Sequence, residues 1–488
     1  MSRRLAQLAL TAVLCAIAWF CLADRTVPAA LVASAISGTL AASLLGRVKE
    51  ATITGLAAGV LGSVLLVVAT TDPSGLTVER GISAAETIAI GTSTTAIAAL
   101  LFAVARMHAG SRWPSRRLMG TLLATAVVVW FVVFTLLAVS PRLATYDEPA
   151  EPGSYSYDAD LYLQTYQYME NGDSYYHALV KAGADDLRLQ RSGAVKNGVF
   201  VDWAPTVTLV RQPVLFYLWK YAAASGGGIV VLSILVSALV LVTLYWALWP
   251  ELGPWAAFVP IALIPQMASH AVPPNAFLPD WWAALAVCLS IACLIRRHLF
   301  AALVLALIGA LFREVAALWL AVLVVGVAAE FVRWPRRREG TTVLVAIACA
   351  ALFGVAMFVH YGLAASIVSG RTAPGRDLAG IFATSMARGL GERFFAPASY
   401  LMGRYEFWGA LPAALLLPLG LLGLLLLGRG SQGYVRWLPV AYLAMWVAFT
   451  LAIGPHSVYW GQGYTLLAVI GCGVALARVA LRAGPTPA

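Results

Sequence analysis

Two aspartates near the middle of the chain have the side chains and the spacing that catalysis could use. Asp158 and Asp160 stand two residues apart in Tyr-Asp-Ala-Asp-Leu-Tyr, inside a polar stretch, residues 140–212, that holds ten of the 23 acidic residues. A carboxylate can act as a general base, and two of them can share a divalent cation. We therefore treat both as candidate catalytic residues. Mg²⁺ or Mn²⁺ at the pair is a candidate cofactor rather than a required one.

The residues that follow these aspartates predict the element that holds them. Apolar and aromatic residues recur with helical spacing from Asp158 to Gly172, which predicts an amphipathic helix lying on the membrane surface with both aspartates at its N-terminus. Aspartate is also favoured there for a structural reason, because it accepts hydrogen bonds from free backbone N–H groups and opposes the helix dipole. Helix capping therefore remains an alternative to catalysis for either residue.

Composition places the chain in a membrane. Of 488 residues, 61% are hydrophobic and only 11% are charged, and the mean hydropathy is +0.81, which excludes an ordinary soluble domain. The net charge of +10 comes from short basic clusters between apolar segments, so we expect it to orient the protein in the membrane rather than to bind nucleic acid. All six cysteines lie in apolar runs without metal-ligand spacing, so no metal site is expected from them.

The apolar segments predict an all-α polytopic membrane protein with about fourteen transmembrane helices. A helix needs about 20 apolar residues to cross the hydrocarbon layer. By this rule spans begin near Leu5, Val27, Ala51, Glu86, Leu118, Gly228, Pro254, Pro279, Leu299, Val315, Thr341, Trp408, Trp437 and Gly463. We expect residues 1–117 to form four accessory helices and residues 118–488 to form the catalytic core.

The basic residues predict the orientation. Lys and Arg cluster in alternate connections, as at Arg47, Arg296, Arg333 and Arg478, and such clusters face the cytoplasm. Both termini are then cytoplasmic, and two long loops, residues 140–212 and 361–407, face outward. The protein is expected to be a multi-pass protein of the cytoplasmic membrane with its active site on the extracytoplasmic face.

Several short motifs in this order resemble the GT-C superfamily of integral-membrane glycosyltransferases. An outward loop carries Asp158 with Tyr162 four residues later, then Gly-Asp-Ser-Tyr at residues 172–175, then Arg-Gln-Pro-Val-Leu-Phe at residues 211–216. Family members usually place a second carboxylate directly after the first, but Ala159 stands there. Asp160 could substitute, so the resemblance leaves the choice of base between two aspartates open.

Two later elements extend the resemblance. Asp280, in Leu-Pro-Asp at the start of a span, is similar to the second outward acid of the family. Arg313, followed by Glu314, is similar to the basic residue that family members place against a lipid-linked phosphate, although a surface turn with a paired Glu314 is the simpler explanation. The guanidinium suits a phosphate because it donates several hydrogen bonds in one plane.

The resemblance implies a GT-C fold, with interfacial helices in the first long loop, and a function. The donor would be a sugar on polyprenyl phosphate, and the acceptor a cell-envelope glycan, lipid or protein, with membrane lipids around it. Asp158 would act as general base, with Asp160 as the alternate, Arg313 and Arg211 would bind the donor phosphate, and the transfer would invert the anomeric carbon. Further outward residues that could support the site or contact the acceptor are Asp280, Glu314, Tyr162, His270, His360, Arg404, His456 and Tyr459.

Other functions fit parts of the same pattern. A transporter or flippase of a lipid-linked or small polar solute would carry ionisable residues near the centres of several spans, whereas these charges gather at the predicted outer surface. A third interpretation is a non-catalytic partner in polymer export whose loop docks another protein. Each of the histidines and aromatic residues could also be an interfacial packing residue.

Overall fold

The computed structural model describes residues 125–148 with single-residue gaps, 157–201, 210–333, 337–367, 418–428, 434–452 and 462–483. An apolar helix, Val127–Arg142, opens this part of the chain. The helices of the first polar region are α1 (Tyr157–Glu170), α2 (Tyr175–Asp185), α3 (Leu187–Arg191) and α4 (Val214–Ala222). The later ones are α5 (Gly226–Leu252), α6 (Phe258–His270), α7 (Pro279–Ile295), α8 (Leu299–Phe312), α9 (Ala317–Arg333), α10 (Arg337–Ile367), α11 (Pro418–Gly428), α12 (Leu438–Ala452) and α13 (Gln462–Ala483).

Three helices in the described part are long and apolar enough to cross a membrane. They are Gly226–Leu252, Glu314–Arg333 and Gly340–Ile367. The helices α6, α7, α8, α11 and the apolar part of α13 are shorter. The predicted starts near Gly228, Pro279, Leu299, Trp437 and Gly463 each fall at or within two residues of the start of an observed helix.

The described residues are mostly helical, with one small exception that the sequence analysis did not predict. Strand β1 (Val195–Lys196) pairs antiparallel with β2 (Val199–Phe200), and Val195 lies opposite Phe200. The connection is Asn197-Gly198, and both residues have positive φ angles, 52° and 76°. Positive φ at both central positions defines the tight turn that fits a two-residue hairpin, and Asn-Gly is its preferred sequence.

The prediction that α1 lies on the membrane surface is wrong. The helix begins at Tyr157 as expected, but its first two turns are buried on every side that the structure describes, including Asp158, Asp160, Tyr162 and Leu163. It packs against α2 and α4, with the Tyr162 and Phe216 rings edge to face at 5.7 Å between centroids. Residues 158–163 are all buried within the protein, so no described face of these turns is left for lipid.

The helices α5 and α7 run in the same direction. The side chains of Trp281 and Ser233, near the starts of α7 and α5, are joined by a 3.1 Å hydrogen bond, so these two helices begin at the same end of the bundle. Near the opposite ends of the same helices, Arg296 stacks over Trp246 at 4.2 Å. The helices α8 and α9 connect the two ends in alternate directions.

Several basic residues of the short connections lie at the end away from the start of α7. There Arg436 pairs with Glu330, and Arg478 donates to Glu251 at 3.0 Å. This is the end that the positive-inside rule assigns to the cytoplasm.

One predicted loop boundary is wrong, and other predicted segments lie outside the described residues. The loop expected to begin at residue 361 begins later, because α10 continues to Ile367. Residues 1–117, which carry the four accessory helices, and the rest of the loop to residue 407 are not among those that the structure describes. Their boundaries remain predictions.

A close contact between α11 and α13 depends on small residues. A Cβ atom added at Gly471 would collide with the backbone carbonyl of Gly420, and one at Gly423 would collide with the carbonyl of Gly471. Small residues allow helix backbones to approach this closely, which is a common way of packing helices in membranes.

We expect Gly471→Ala to lower the melting temperature of the purified protein. The added methyl group would force two backbones apart, at a cost of about 1–3 kcal/mol. The matched control is Gly354→Ala in α10, where an added Cβ has no atom within 4 Å. There the better helix propensity of alanine should leave the melting temperature unchanged or slightly raised. Equal melting temperatures for the two variants would contradict this packing.

Candidate functional site

The two aspartates of α1 have different surroundings. Asp160 is 1% exposed and accepts a 3.1 Å hydrogen bond from Nη2 of Arg188. Asp158 is 8% exposed and lies close enough to Asp280 to act on it electrostatically. Residues two apart on a helix point to different sides, so the pair does not face one place. The structure thereby gives different surroundings to Asp158, the base that the sequence favoured, and to Asp160, its alternate.

Arg313 lies between two carboxylates. Its Nε donates to Oδ1 of Asp280 and its Nη1 donates to Oε2 of Glu314, both at 2.8 Å. The side chains of Arg313 and Asp280 are 4% and 2% exposed. Such a paired geometry offsets the cost of burying an arginine, because each charge keeps an opposite charge and a hydrogen bond. The sequence offered a surface turn with Arg313 paired to Glu314 as the simpler explanation. The pair with Glu314 is confirmed, but Arg313 is buried rather than at the surface.

The local backbone explains how these three residues meet. Pro279 opens α7, and Asp280 follows in its first turn. On the neighbouring chain segment, α8 ends at Phe312 and the backbone of Arg313 is extended, with φ −152° and ψ 124°. A short 3-10 turn from Glu314 to Ala316 then leads into α9. The break between α8 and α9 therefore turns Arg313 towards the start of α7.

Arg211 is the second buried arginine of the site. It lies over the ring of Tyr162 at 5.9 Å, and its backbone carbonyl accepts a 2.7 Å hydrogen bond from the Tyr175 hydroxyl. Burial and the charge of Arg313 lower the pKa of Arg211, but Tyr162, Glu314 and Asp280 together raise it above its ordinary value. Its guanidinium therefore stays charged inside the protein.

Two buried polar atoms near Arg313, one on Arg211 and one on Asp280, stand out. Arg211 Nε and Asp280 Oδ2 make no hydrogen bond with any residue in the part of the chain that the structure describes. Buried polar atoms of a folded protein are nearly always hydrogen-bonded, so these two atoms need an explanation. One is a donor and the other an acceptor, which suits a ligand that carries both an anionic oxygen and a hydroxyl.

We call the group Asp158, Arg211, Asp280, Arg313 and Glu314 the charged cluster. It holds three acidic and two basic side chains where α1, α7, the α8 to α9 break and the segment before α4 meet. It lies at the end of the bundle opposite the basic connections. The sequence predictions for these five residues and for Tyr162 therefore converge on one place.

His360 and His270 have different surroundings relative to the charged cluster. His360 in α10 is buried, shares a 2.8 Å hydrogen bond with the Tyr176 hydroxyl and lies within electrostatic reach of Glu314 and Arg211. His270 is also buried, where its Nδ1 contacts the Gln266 carbonyl at 2.9 Å and its ring packs on Trp281. Burial lowers the pKa of His270 to about 4. We therefore interpret His270 as a neutral packing residue, whereas His360 borders the cluster.

Other expectations can be placed only in part. Arg404, His456 and Tyr459 lie outside the residues that the structure describes. Among the described residues no group of three or more His, Cys, Asp and Glu side chains could hold a metal ion. The divalent cation at Asp158 and Asp160 remains untested, but the two carboxylates point to different partners.

Sequence reasoning missed one residue of this region. Arg188 in α3 pairs with Asp160, and its own backbone N–H is capped by Asp186 at 2.8 Å. No motif marks Arg188, since it stands 28 positions from its partner. The only signal in the sequence was the need of a buried carboxylate for an opposite charge.

We expect Arg313→Gln to destabilise the protein strongly. Removal of one partner leaves Asp280 and Glu314 without their compensating charge, which typically costs about 3–5 kcal/mol. Lys181→Gln is the matched control, because Lys181 and Asp173 form a 2.6 Å ion pair with the lysine side chain 54% exposed, and such pairs contribute at most about 1 kcal/mol.

Thermal unfolding of the purified protein measures both changes. Adding Asp280→Asn to the Arg313→Gln variant should recover part of the loss, because the two residues are directly coupled. A melting temperature for Arg313→Gln equal to that of Lys181→Gln would show that the buried ion pair does not stabilise the fold.

The site is thus a buried group of three carboxylates and two arginines at one end of a bundle of apolar helices. No protein-family model, no curated protein and no solved structure matches this chain.

Proposed function

We propose that the protein is a glycosyltransferase that moves a sugar from a polyprenyl-phosphate-linked donor to a glycan, lipid or protein of the cell envelope. The observation that carries the proposal is the charged cluster. Charged residues at membrane depth are costly and are mostly kept where they act on a substrate or ion. A cluster with both carboxylates and arginines, next to apolar helices, suits a substrate that joins a lipid chain, a phosphate and a sugar.

Asp158 is the better candidate for the general base. It belongs to the charged cluster and is more exposed than Asp160. Asp160 already has Arg188 as its partner, and an ion pair of that kind favours the charged form but weakens the carboxylate as a base. In this proposal Asp160 and Arg188 hold the start of α1 in place, and Asp158 accepts the proton.

Arg211 is the better candidate for contact with the donor phosphate. Two carboxylates already occupy Arg313, whereas the guanidinium of Arg211 lies over the ring of Tyr162. The buried Nε of Arg211 makes no hydrogen bond with the described residues. A phosphate oxygen would satisfy that nitrogen in the planar geometry that arginine prefers. Arg313 would then act as a positioning residue that holds Asp280 and Glu314.

The reaction needs one bond made and one broken. The acceptor hydroxyl oxygen bonds to the anomeric carbon of the sugar as its proton passes to Asp158. The bond between that carbon and the phosphate oxygen breaks, and the electron pair leaves on polyprenyl phosphate. Arg211 stabilises the negative charge that develops on this oxygen. Attack opposite the leaving group inverts the anomeric carbon.

We expect Asp158→Asn to lower sugar transfer by about 10²–10⁴-fold, the usual contribution of a general base. Asp160→Asn should lower it less, because its effect on the base is indirect. Glu148→Gln, which changes an exposed carboxylate near the same region, is the control. Transfer is measured with membranes that contain the radiolabelled lipid-linked donor pool. Full transfer by the Asp158→Asn variant would refute the assignment of the base.

We expect Arg211→Gln to weaken binding of C55 polyprenyl phosphate, a probe that carries the polyprenyl phosphate end of the proposed donor. Loss of a charge-assisted hydrogen bond of about 1.5–3 kcal/mol corresponds to roughly 10- to 100-fold in Kd. Binding to the purified protein in detergent is compared with that of the polyprenol without phosphate. Lys181→Gln should bind like the wild type.

Binding and transport measurements distinguish the glycosyltransferase from the rival function, a transporter or flippase. Equal affinities of wild type and Arg211→Gln for C55 polyprenyl phosphate would remove Arg211 from the phosphate site. If vesicles that contain the protein moved a labelled lipid-linked sugar across the bilayer without transferring it, the transporter or flippase would replace the glycosyltransferase.

A further inference from the structure

The segment that carries Arg211 is held by side chains from two helices that are distant from it in the sequence. Residues 210–212 belong to no helix or strand, and all three are buried. The backbone carbonyls of such a segment have no regular partners within it, so they need donors from elsewhere. These donors come from α2 and α10.

Two consecutive tyrosines at the start of α2 take part. The Tyr175 hydroxyl donates to the Arg211 carbonyl at 2.7 Å, and the Tyr175 ring packs on Phe216 at 4.9 Å between centroids. The Tyr176 hydroxyl lies 2.8 Å from Nδ1 of His360, and the two rings are stacked. Tyr175 therefore holds the arginine backbone directly, whereas Tyr176 holds the histidine that reaches the residue before it.

His360 connects α10 to the residue just before the arginine. Its Nε2 lies 3.4 Å from the Val210 carbonyl, which is longer than most N–H···O hydrogen bonds. A carbonyl only accepts, so Nε2 carries a proton, and in the neutral ring Nδ1 then accepts from the Tyr176 hydroxyl. Both ring nitrogens therefore have a partner although the residue is only 2% exposed.

The α10 surface beside His360 is apolar and exposed. Phe358 and Val359 are 83% and 51% exposed, whereas His360 is buried. Met357 stands three positions before His360, so the two share a face of the helix, and its sulfur accepts a hydrogen bond from Nε2 of Gln212. An ionisable residue in a helix apolar enough to cross a membrane is costly and is mostly kept for a function.

A third element places the guanidinium of Arg211. It lies 5.9 Å over the ring of Tyr162 in α1, and that ring packs edge to face on Phe216. The arginine is thus held at its own carbonyl, at the preceding carbonyl and at its charged end. A side chain held in this way loses less entropy when it binds an anion than a free arginine would.

We propose that His360 is a positioning residue for Arg211. By holding Val210 it keeps the buried Nε of Arg211 oriented towards an oxygen of the donor phosphate, and this makes phosphate affinity depend on α10. Tyr176 supports the histidine in this role. The inference rests on the proposed contact between Arg211 and the donor phosphate, but it does not depend on Asp158 as the base.

Binding of C55 polyprenyl phosphate to the purified full-length protein tests this role, with C55 polyprenol as the ligand that lacks phosphate. His360→Leu removes both hydrogen bonds of the ring and should weaken phosphate binding about three- to tenfold, with polyprenol binding unchanged. His360→Gln should recover most of the affinity, because its amide can still donate to the Val210 carbonyl. Tyr176→Phe is a milder change that should weaken phosphate binding in the same direction, so the test does not require His360→Leu to fold.

Ser290→Ala is the matched control for loss of a buried polar contact. The Ser290 hydroxyl donates to the Ala302 carbonyl at 2.6 Å and accepts from Trp319 Nε1 at 2.9 Å, so it joins α7, α8 and α9. It lies about 15 Å along α7 from Asp280, at a rise of 1.5 Å per residue. This variant should lower the melting temperature without changing phosphate affinity, which distinguishes lost positioning from a general loss of stability.

A double variant shows whether the histidine acts through the arginine. Arg211→Gln combined with His360→Leu should bind the phosphate no more weakly than Arg211→Gln alone, because residues in one network have coupled effects. Additive losses would overturn the inference, and so would equal losses of polyprenol and phosphate binding in His360→Leu.

The single variants separate this inference from the proposed function. If Arg211→Gln binds the phosphate weakly and both His360→Leu and Tyr176→Phe bind it like the wild type, the role of His360 is refuted and the phosphate site stands. Wild-type affinity of Arg211→Gln would instead refute the phosphate site and the role of His360 together.

Discussion

The burial of Arg313 is the constraint on which the site depends. An arginine among apolar helices costs roughly 2.5–3.5 kcal/mol on insertion scales unless it is compensated. Asp280 and Glu314 compensate it through two hydrogen bonds of 2.8 Å. To form them, α8 must end at Phe312, the chain must run extended through Arg313, and α7 must begin beside this break. The ion pair and the helix ends therefore determine each other.

This arrangement gives the bundle two electrically different ends. One end holds the charged cluster and the start of α5, where glycines allow the chain near Tyr146 to approach closely. The other end holds Arg296, Arg436 and Arg478, each in contact with an aromatic or acidic partner. Buried paired charges therefore lie at one end of the bundle, and basic residues of the short connections lie at the other.

Helix α1 connects the separate parts of the region around the charged cluster. Its first turn sends Asp158 towards Asp280 and Asp160 towards Arg188, because side chains two positions apart diverge. Further along, Tyr162 lies under Arg211, and the ring of Tyr166 packs on Trp219. Because its first turns are buried, this one short helix contacts several different parts of the protein.

The sequence by itself determined the membrane class, the starts of several helices and the residues worth examining. Apolar runs, and the proline and basic residues that end them, can be recognised from neighbouring positions alone. Pro279 and Leu299 could therefore be identified as helix starts without a structure. The Asn-Gly sequence at Asn197 also indicated a hairpin turn, although we did not predict one. The same local pattern misled for α1, because spaced apolar residues fit a surface helix as well as one buried among other helices.

Only the tertiary structure decided which charges meet. Asp160 and Arg188 are 28 residues apart, and Arg313 and Asp280 are 33 apart, so no short motif could pair them. The unequal surroundings of Asp158 and Asp160 follow from helix geometry combined with the placement of α3 and α7. Electrostatic partners are chosen by distance in space, and that distance is determined by packing rather than by position along the chain.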